Sequence, residues 1–376
     1  MKTAKIISFV VIVGLAFSML FSSCESNPDV TPQEDILPSK FSVDIPSSIS
    51  NKELAKGGRI GGRVKDDSLH GNDIYKNLGT FIAVGEEASK LVEAFIEGIR
   101  KYKIDRVLSL TYVGEDDNRT KNLVVLSNST FEGKTWDYQL TITDADSENQ
   151  ADGGKALQIF WNKSNTIEGI AIIKPYNCDR LKDGDAKDAV FRIDYSEVSD
   201  LGYDAQMEVL ISGLPLANPL SDPFSINTLR MFVGKKGDVV DVYGNSNHPN
   251  AILFTGTPGF NYAFVASGNE TKDTGVAEVG LPPSKLNSSD RKVLLKDYSI
   301  KSVFTKEITA IWPGVDPTLL DAYLSEAAAP GYFSKAKGFL SGGVSPGVEW
   351  DVLKARLDAL SPYNPKEVSE LVVGFK

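Results

Sequence analysis

The chain has 376 residues, 41% of them hydrophobic and 24% charged, enough apolar material for two or more packed units and too much for a disordered chain. Fifty acidic against forty basic residues leave a net charge of −10, which argues against nucleic acid as a partner because no excess of Lys and Arg remains to displace phosphate counterions. Two cysteines and two histidines are too few for zinc modules, disulfide-stapled scaffolds or multi-histidine metal centres, so neither a metal nor a cofactor is expected.

Met1-Lys2-Thr3-Ala4-Lys5 is a short basic start, and sixteen uncharged residues follow it from Ile6 to Phe21. This is the outline of a secretory signal peptide, and the run falls short of the about 18 to 20 apolar residues that cross a bilayer. The run ends in Phe21-Ser22-Ser23-Cys24. That stretch resembles the bacterial lipobox, in which small residues precede a cysteine that receives a diacylglycerol thioether before signal peptidase II cuts in front of it. Ser22 and Ser23 fit the pattern; Phe21 departs from it, since a small or aliphatic residue is usual there. The resemblance covers only the leader. It implies a signal peptide over 1–23, covalent lipid (palmitate among the acyl chains) on Cys24, and export to a bacterial membrane, with the outer membrane as the expected site. At roughly 0.8 kcal/mol per buried methylene, two or three acyl chains hold a protein to a membrane permanently, whereas one does not. Cleavage before Cys24 leaves 38 basic and 50 acidic residues, a net charge of −12, so the acyl group and not a basic patch must supply the attachment.

Residues 25–52 are rich in Pro, Ser and acids, and the stretch from Cys24 to residue 65 reads as a flexible tether. From Asn72 to Tyr102 the residues Ile74, Leu78, Phe81, Ile82, Ala88, Leu91, Val92, Phe95, Ile96 and Ile99 recur every three or four positions, the stripe of one long helix that Gly79 or Gly85 could kink. The period then changes to two. Trp136, Tyr138, Leu140 and Ile142 alternate with Asp137, Gln139, Thr141 and Thr143, and Phe191, Ile193 and Tyr195 alternate with Arg192, Asp194 and Ser196. Similar runs cover 106–113, 122–126, 157–161, 167–173, 207–211, 229–233, 239–243, 251–254 and 262–266, with turn-rich pieces between them. Successive strands without intervening long helices predict an antiparallel meander and disfavour a doubly wound parallel fold. After Pro282-Pro283 the composition turns helical. Asp316-Pro317, Ser345-Pro346 and Asn364-Pro365 each pair a capping side chain with a proline at the first helical position, and Glu367 completes a capping box with Asn364.

The expected fold is therefore α+β: a long N-terminal helix packed on a large, curved, mainly antiparallel sheet, either a meander or a partial barrel, over 66–285, with a small C-terminal helical region over 286–376. The runs 157–161 and 167–173 are apolar on both faces, so their outer face must also be covered, and the long helix could supply the cover.

Catalytic chemistry is hard to find. No Gly-x-Ser-x-Gly is present; Ser341, in Gly338-Phe339-Leu340-Ser341-Gly342-Gly343, is the nearest approach, and no catalytic residue is assigned. His70 and His248 read as loop histidines, and Cys178, unpaired once Cys24 carries lipid, as a buried, inert thiol. Asp144, Asp146, Glu148 and Asp152, and likewise Asp179, Asp183, Asp185 and Asp188, are spaced to converge on calcium, but both sets lack the EF-hand glycine and glutamate, and solvated turns give the same pattern. The strand aromatics Trp136, Tyr138, Trp161 and Tyr195 are the candidate ligand-binding residues, for an apolar or carbohydrate ligand. The expected function is that of a non-catalytic envelope lipoprotein that binds such a ligand. The alternative is a structural or assembly component that recognises other envelope proteins, with a hydrolase third.

Overall fold

The computed structural model describes residues 37–50, 71–100, 106–114, 117–162, 166–181, 184–218, 224–252 and 258–376; the leader, Cys24 and His70 lie outside them. Helix α1 (Gly71–Arg100) runs 30 residues, about 45 Å at 1.5 Å per residue. Asp73 stands in its first turn and Arg100 in its last, each with the charge that the helix dipole favours there. Ile74, Leu78, Phe81, Ile82, Leu91, Val92, Phe95 and Ile96 are all buried, as the stripe predicts. Neither glycine breaks the helix: a Cβ on Gly85 would lie 2.3 Å from the Met231 methyl, so this glycine permits close approach to a strand. Among the described residues no helix is long and apolar enough to cross a membrane.

Thirteen strands form one sheet in which spatial order follows chain order, and its two ends do not pair, so it is an open meander and not a closed barrel. The chain divides into two compact units. The first comprises 37–42, 87–215 and 372–376; the second comprises 43–86 and 216–371.

The first unit holds β1 (Leu108–Val113), β2 (Thr120–Phe131), β3 (Lys134–Asp144), β4 (Lys155–Asn162), β5 (Glu168–Ile173), the short helix α2 (Pro175–Cys178), β6 (Val190–Ser196) and β7 (Ala205–Ser212). Each strand pairs antiparallel with the next. Glu132 and Gly133, both at positive φ, make the two-residue turn between β2 and β3, the geometry that suits the right-handed twist of a hairpin. Strand β6 alternates strictly between buried and half-buried residues, whereas β4 and β5 are buried along both faces. Part of that second cover is the chain's own end: the Val373 amide donates to Ser212 Oγ, the Lys376 amide to Gln158 Oε1, and the Lys376 ammonium to Ser129 Oγ.

Within the expected tether of 24–65, residues 37–50 are packed; 24–36 and 51–65 lie outside the described residues. Leu37, Phe41, Val43, Ile45 and Ile49 are buried although they form no helix or strand. In the first unit the Phe41 amide donates to Glu93 Oε1, and the Arg100 guanidinium donates to the Pro38 carbonyl. In the second, Ile49 packs against Gly268 and Gly275, and Ser48 Oγ donates to the Thr274 carbonyl. Enough apolar side chains alternate here to offset the ordering entropy in spite of the prolines.

The second unit holds β8 (Thr228–Lys236), β9 (Val239–His248), β10 (Phe260–Asn269), β11 (Thr274–Gly280), α3 (Ile300–Ile311), α4 (Pro317–Tyr323), β12 (Gly331–Ser334), β13 (Gly338–Gly342), α5 (Val348–Leu357) and α6 (Pro365–Ser369). It is layered on both sides of its strands. On one face the first half of α1 brings Phe81 against Tyr262 (4.3 Å between ring centroids) and Tyr75 against Phe333. On the other, Val265, Val276 and Tyr332 pack with Leu294, Leu295, Leu353, Leu357 and Leu360. Asp316 caps α4, accepting from the amides of Thr318 and Leu319, and Asn364 caps α6 through the Lys366 amide. Ser345 caps no helix: α5 begins at Val348, and Ser345 Oγ accepts from the Gly347 amide. Strands β11 to β13 escape the period-two reading because five of their sixteen residues are glycine, which carries no side chain to mark a face. In the expected strand 251–254, Ala251 and Ile252 are not in a strand and the remaining residues lie outside the described set.

Candidate functional site

Three of the four candidate aromatics meet in one row across the first unit. Tyr138 is registered opposite Trp161, Trp161 opposite Gly169, and Gly169 opposite Tyr195. Residues directly opposite in a ladder point to the same face, so these rings share a side of the sheet. Tyr138 and Trp161 stack, with centroids 5.5 Å apart and planes 23° from parallel. Gly169 leaves a gap in the row, and Phe41 fills it: a Cβ on Gly169 would lie 2.7 Å from the Phe41 ring, whose centroid is 5.9 Å from that of Tyr195. Trp161 is 1% exposed and Tyr195 2%, while Tyr138 is half-buried. Tyr195 Oη reaches Glu197 Oε1 at 3.3 Å.

Trp136 stands apart from the row. Its ring lies 6.5 Å from Phe160 with the Lys134 ammonium over it at 4.4 Å, and its buried Nε1 has no acceptor among the described residues. Sequence reasoning missed Phe41, the residue that closes the row. The available signal was the Phe41-Ser42-Val43-Asp44-Ile45 alternation, which lies among prolines and serines.

The first acidic loop of the calcium reading is an ion-pair cluster. Asp144 is fully buried and accepts from Arg119 Nε at 2.9 Å, Arg180 Nε at 3.2 Å and Ser147 Oγ at 3.0 Å. Burial pushes its carboxyl up, but the Arg119 hydrogen bond, the Lys121 charge and the Ser147 hydroxyl outweigh that and hold it below the usual carboxylate range. Lys121 in turn donates to Asp117 and to the Asn177 carbonyl, both at 3.0 Å. Asp152 is taken up by Lys174 at 2.6 Å and by Asn177. Among the described residues no three His, Cys, Asp or Glu side chains converge as a metal site. Cys178 Sγ points at the Ala156 carbonyl, 3.6 Å away, and burial pushes its thiol pKa up, which keeps it protonated.

His248 is not a loop residue. It is 1% exposed on β9, wedged between Phe81 and Phe260. Its Nε2 lies 2.8 Å from Ser246 Oγ, and its Nδ1 lies 2.8 Å from the Phe224 carbonyl. The carbonyl can only accept, so Nδ1 carries the proton and Nε2 accepts from the serine. Burial depresses the imidazole pKa to about 4, the Phe224 bond opposing it only in part. This Ser-His pair resembles half of a hydrolytic triad, yet Ser246 is fully buried and meets no solvent. Ser341, on β13, instead donates its Oγ to the Val344 carbonyl just beyond that strand.

A polar surface cleft of about 420 Å³ in the second unit was not legible in the sequence; Asn72, Lys76, Tyr323 and Glu326 line it. Asn72 Nδ2 donates to Glu326 Oε2 at 2.6 Å. No protein-family model, curated protein or solved structure matches the chain.

Proposed function

We propose that the chain is an exported bacterial lipoprotein, held to the outer membrane by lipid on Cys24, that acts without catalysis as an assembly component binding other envelope proteins. The observation that carries this ordering is the closed aromatic row. Phe41 occupies the gap at Gly169 that a flat ligand would need, so those rings serve as core, and function passes to outer surfaces. Among the described residues no strand pairs with the outer edge of β1, and that edge suits a protein partner: β1 alternates half-buried and exposed residues, and a strand edge at the border of a sheet is a template for an added strand. In-cell crosslinking with benzoylphenylalanine at Ser109 or Thr111 is expected to give discrete heteromeric products. Monomer alone at both positions would overturn the assembly reading.

A ligand-binding role is the second reading, favoured by the half-exposed Tyr138 stacked on Trp161. An apolar or carbohydrate ligand would then displace Phe41. Native mass spectrometry of the purified domain showing a copurifying small molecule would support it, and repeated clean spectra would count against it.

A further inference from the structure

The first unit exposes apolar side chains at both ends of its strands, and the attachment of the N-terminal segment distinguishes those ends. One end carries the close of β4 and β6 and the start of β5 and β7; there Phe41 packs on Gly169 beside Tyr195. From Phe41 the chain runs back toward Pro38, whose carbonyl is held by Arg100 at the last turn of α1. The segment arriving from Cys24 therefore joins the body at this end. Twelve residues, 25–36, separate Cys24 from Leu37, a span of at most about 45 Å at full extension. Strand β2, with 12 residues, is itself about 40 Å long, so the opposite end could reach the membrane only with that span nearly taut.

The connection between β6 and β7, at the attachment end, exposes Val198 (57%) and Leu201 (64%), and Val107 stands exposed just before β1. Glu197 precedes Val198, Asp200 lies between Val198 and Leu201, and Asp204 follows them, a charge pattern that disfavours anionic headgroups and leaves apolar contact as the attraction. We propose that the β6–β7 loop, with Val198 and Leu201 at its apex, is the lipid-facing surface of the anchored protein. This rests on the Cys24 anchoring reading.

The test places benzoylphenylalanine at Leu201 or, as the control at the opposite end of the same unit, at Leu181, which is more exposed still (73% against 64%). The membrane-purified protein is reconstituted in phosphatidylethanolamine and phosphatidylcholine vesicles and irradiated, and phospholipid adducts are counted by mass spectrometry. At least fivefold more adduct at 201 than at 181 is expected, falling when phosphatidylglycerol replaces half of the lipid. Equal yields, or more at 181, would overturn the proposal. The mass of the Cys24 peptide in the same sample reports acylation separately. If that peptide is unmodified, the anchoring reading fails, and coupling residue 24 to a maleimide phospholipid decides the geometry by the same ratio.

Discussion

Strand β6 of the first unit and strand β9 of the second both place polar residues at alternate positions, Arg192, Asp194 and Ser196 in one and Asp241, Asn245 and Asn247 in the other. In β6 those residues are half-buried. In β9 they are buried, and each has a partner outside the sheet's own backbone: Asp241 accepts from Arg356 Nε and Nη2 and from the Ser267 hydroxyl, Asn245 accepts from the Tyr363 amide, and Asn247 donates to Asn261, Ser284 and Ser369. Helices α5 and α6 supply Arg356 and Ser369, so the polar residues of β9 lie under a covering, hydrogen-bonded layer. Alternation thus identifies which face is apolar without saying whether the polar face is wet.

The sharpest way to break this comparison is Arg356→Ala. It leaves the Asp241 carboxylate, 2% exposed, without its main counter-charge. Removing one partner of a buried pair costs about 3–5 kcal/mol, and urea unfolding followed by circular dichroism should register a loss of that size. A loss under about 1 kcal/mol would place Asp241 among surface ion pairs and erase the distinction between the two faces.

Phe41→Ala probes the apolar face of the first unit. Truncating a buried phenylalanine costs about 3–5 kcal/mol through lost transfer energy and the cavity left behind, and here the cavity opens over Gly169, between Trp161 and Tyr195. A near-neutral result, or tighter binding of a flat aromatic or sugar probe by the variant, would return the row to the ligand-binding reading.

Most of the architecture was legible in the sequence because it follows one period at a time. The 3.6-residue stripe from Ile74 to Ile96 marked α1, and the period-two runs marked β1 to β10. The prolines after Asp316 and Asn364 marked two caps correctly. What escaped depended on contacts distant in sequence. His248 and Asn247 read as a polar turn because nothing local reveals Phe224, Ser284 and Ser369 waiting as partners. Phe41 read as tether because Gly169 lies far along the chain. Strands β11 to β13 carry too few side chains to show alternation. For the candidate site, the pattern placed Trp136 and Tyr138 on the same face, and only the tertiary structure separates their surroundings.

His248 gives the second unit a pH dependence. Its pKa is near 6.5 in an unfolded chain and about 4 in the folded one, so the unfolded state binds the proton more readily. The associated stability is present above pH 6.5 and is lost as pH falls toward 4, about 3 kcal/mol in all. Unfolding free energies measured from pH 7 to 4 should show this decline. His248→Gln, which cannot titrate, should flatten it, and an equally steep decline in that variant would assign the sensitivity to carboxylates instead.

The smallest effect is the most discriminating between the two polar faces. Arg192 on β6 pairs with Glu132 and Asp194 and lies over the Phe131 ring, which in contact geometry makes it as well partnered as Arg356. The difference is solvent: the Glu132 and Asp194 side chains are 52% and 30% exposed, against 3% for Asp241. Water can therefore take over the carboxylate when the guanidinium is removed, and Arg192→Ala should cost no more than about 1 kcal/mol. Because the two arginines differ in the exposure of the acid more than in their hydrogen bonds, the ratio of the two losses reports how far burial of the acid sets the cost. A loss at Arg192 matching that at Arg356 would mean that the outer face of the first unit is as thoroughly covered as that of the second.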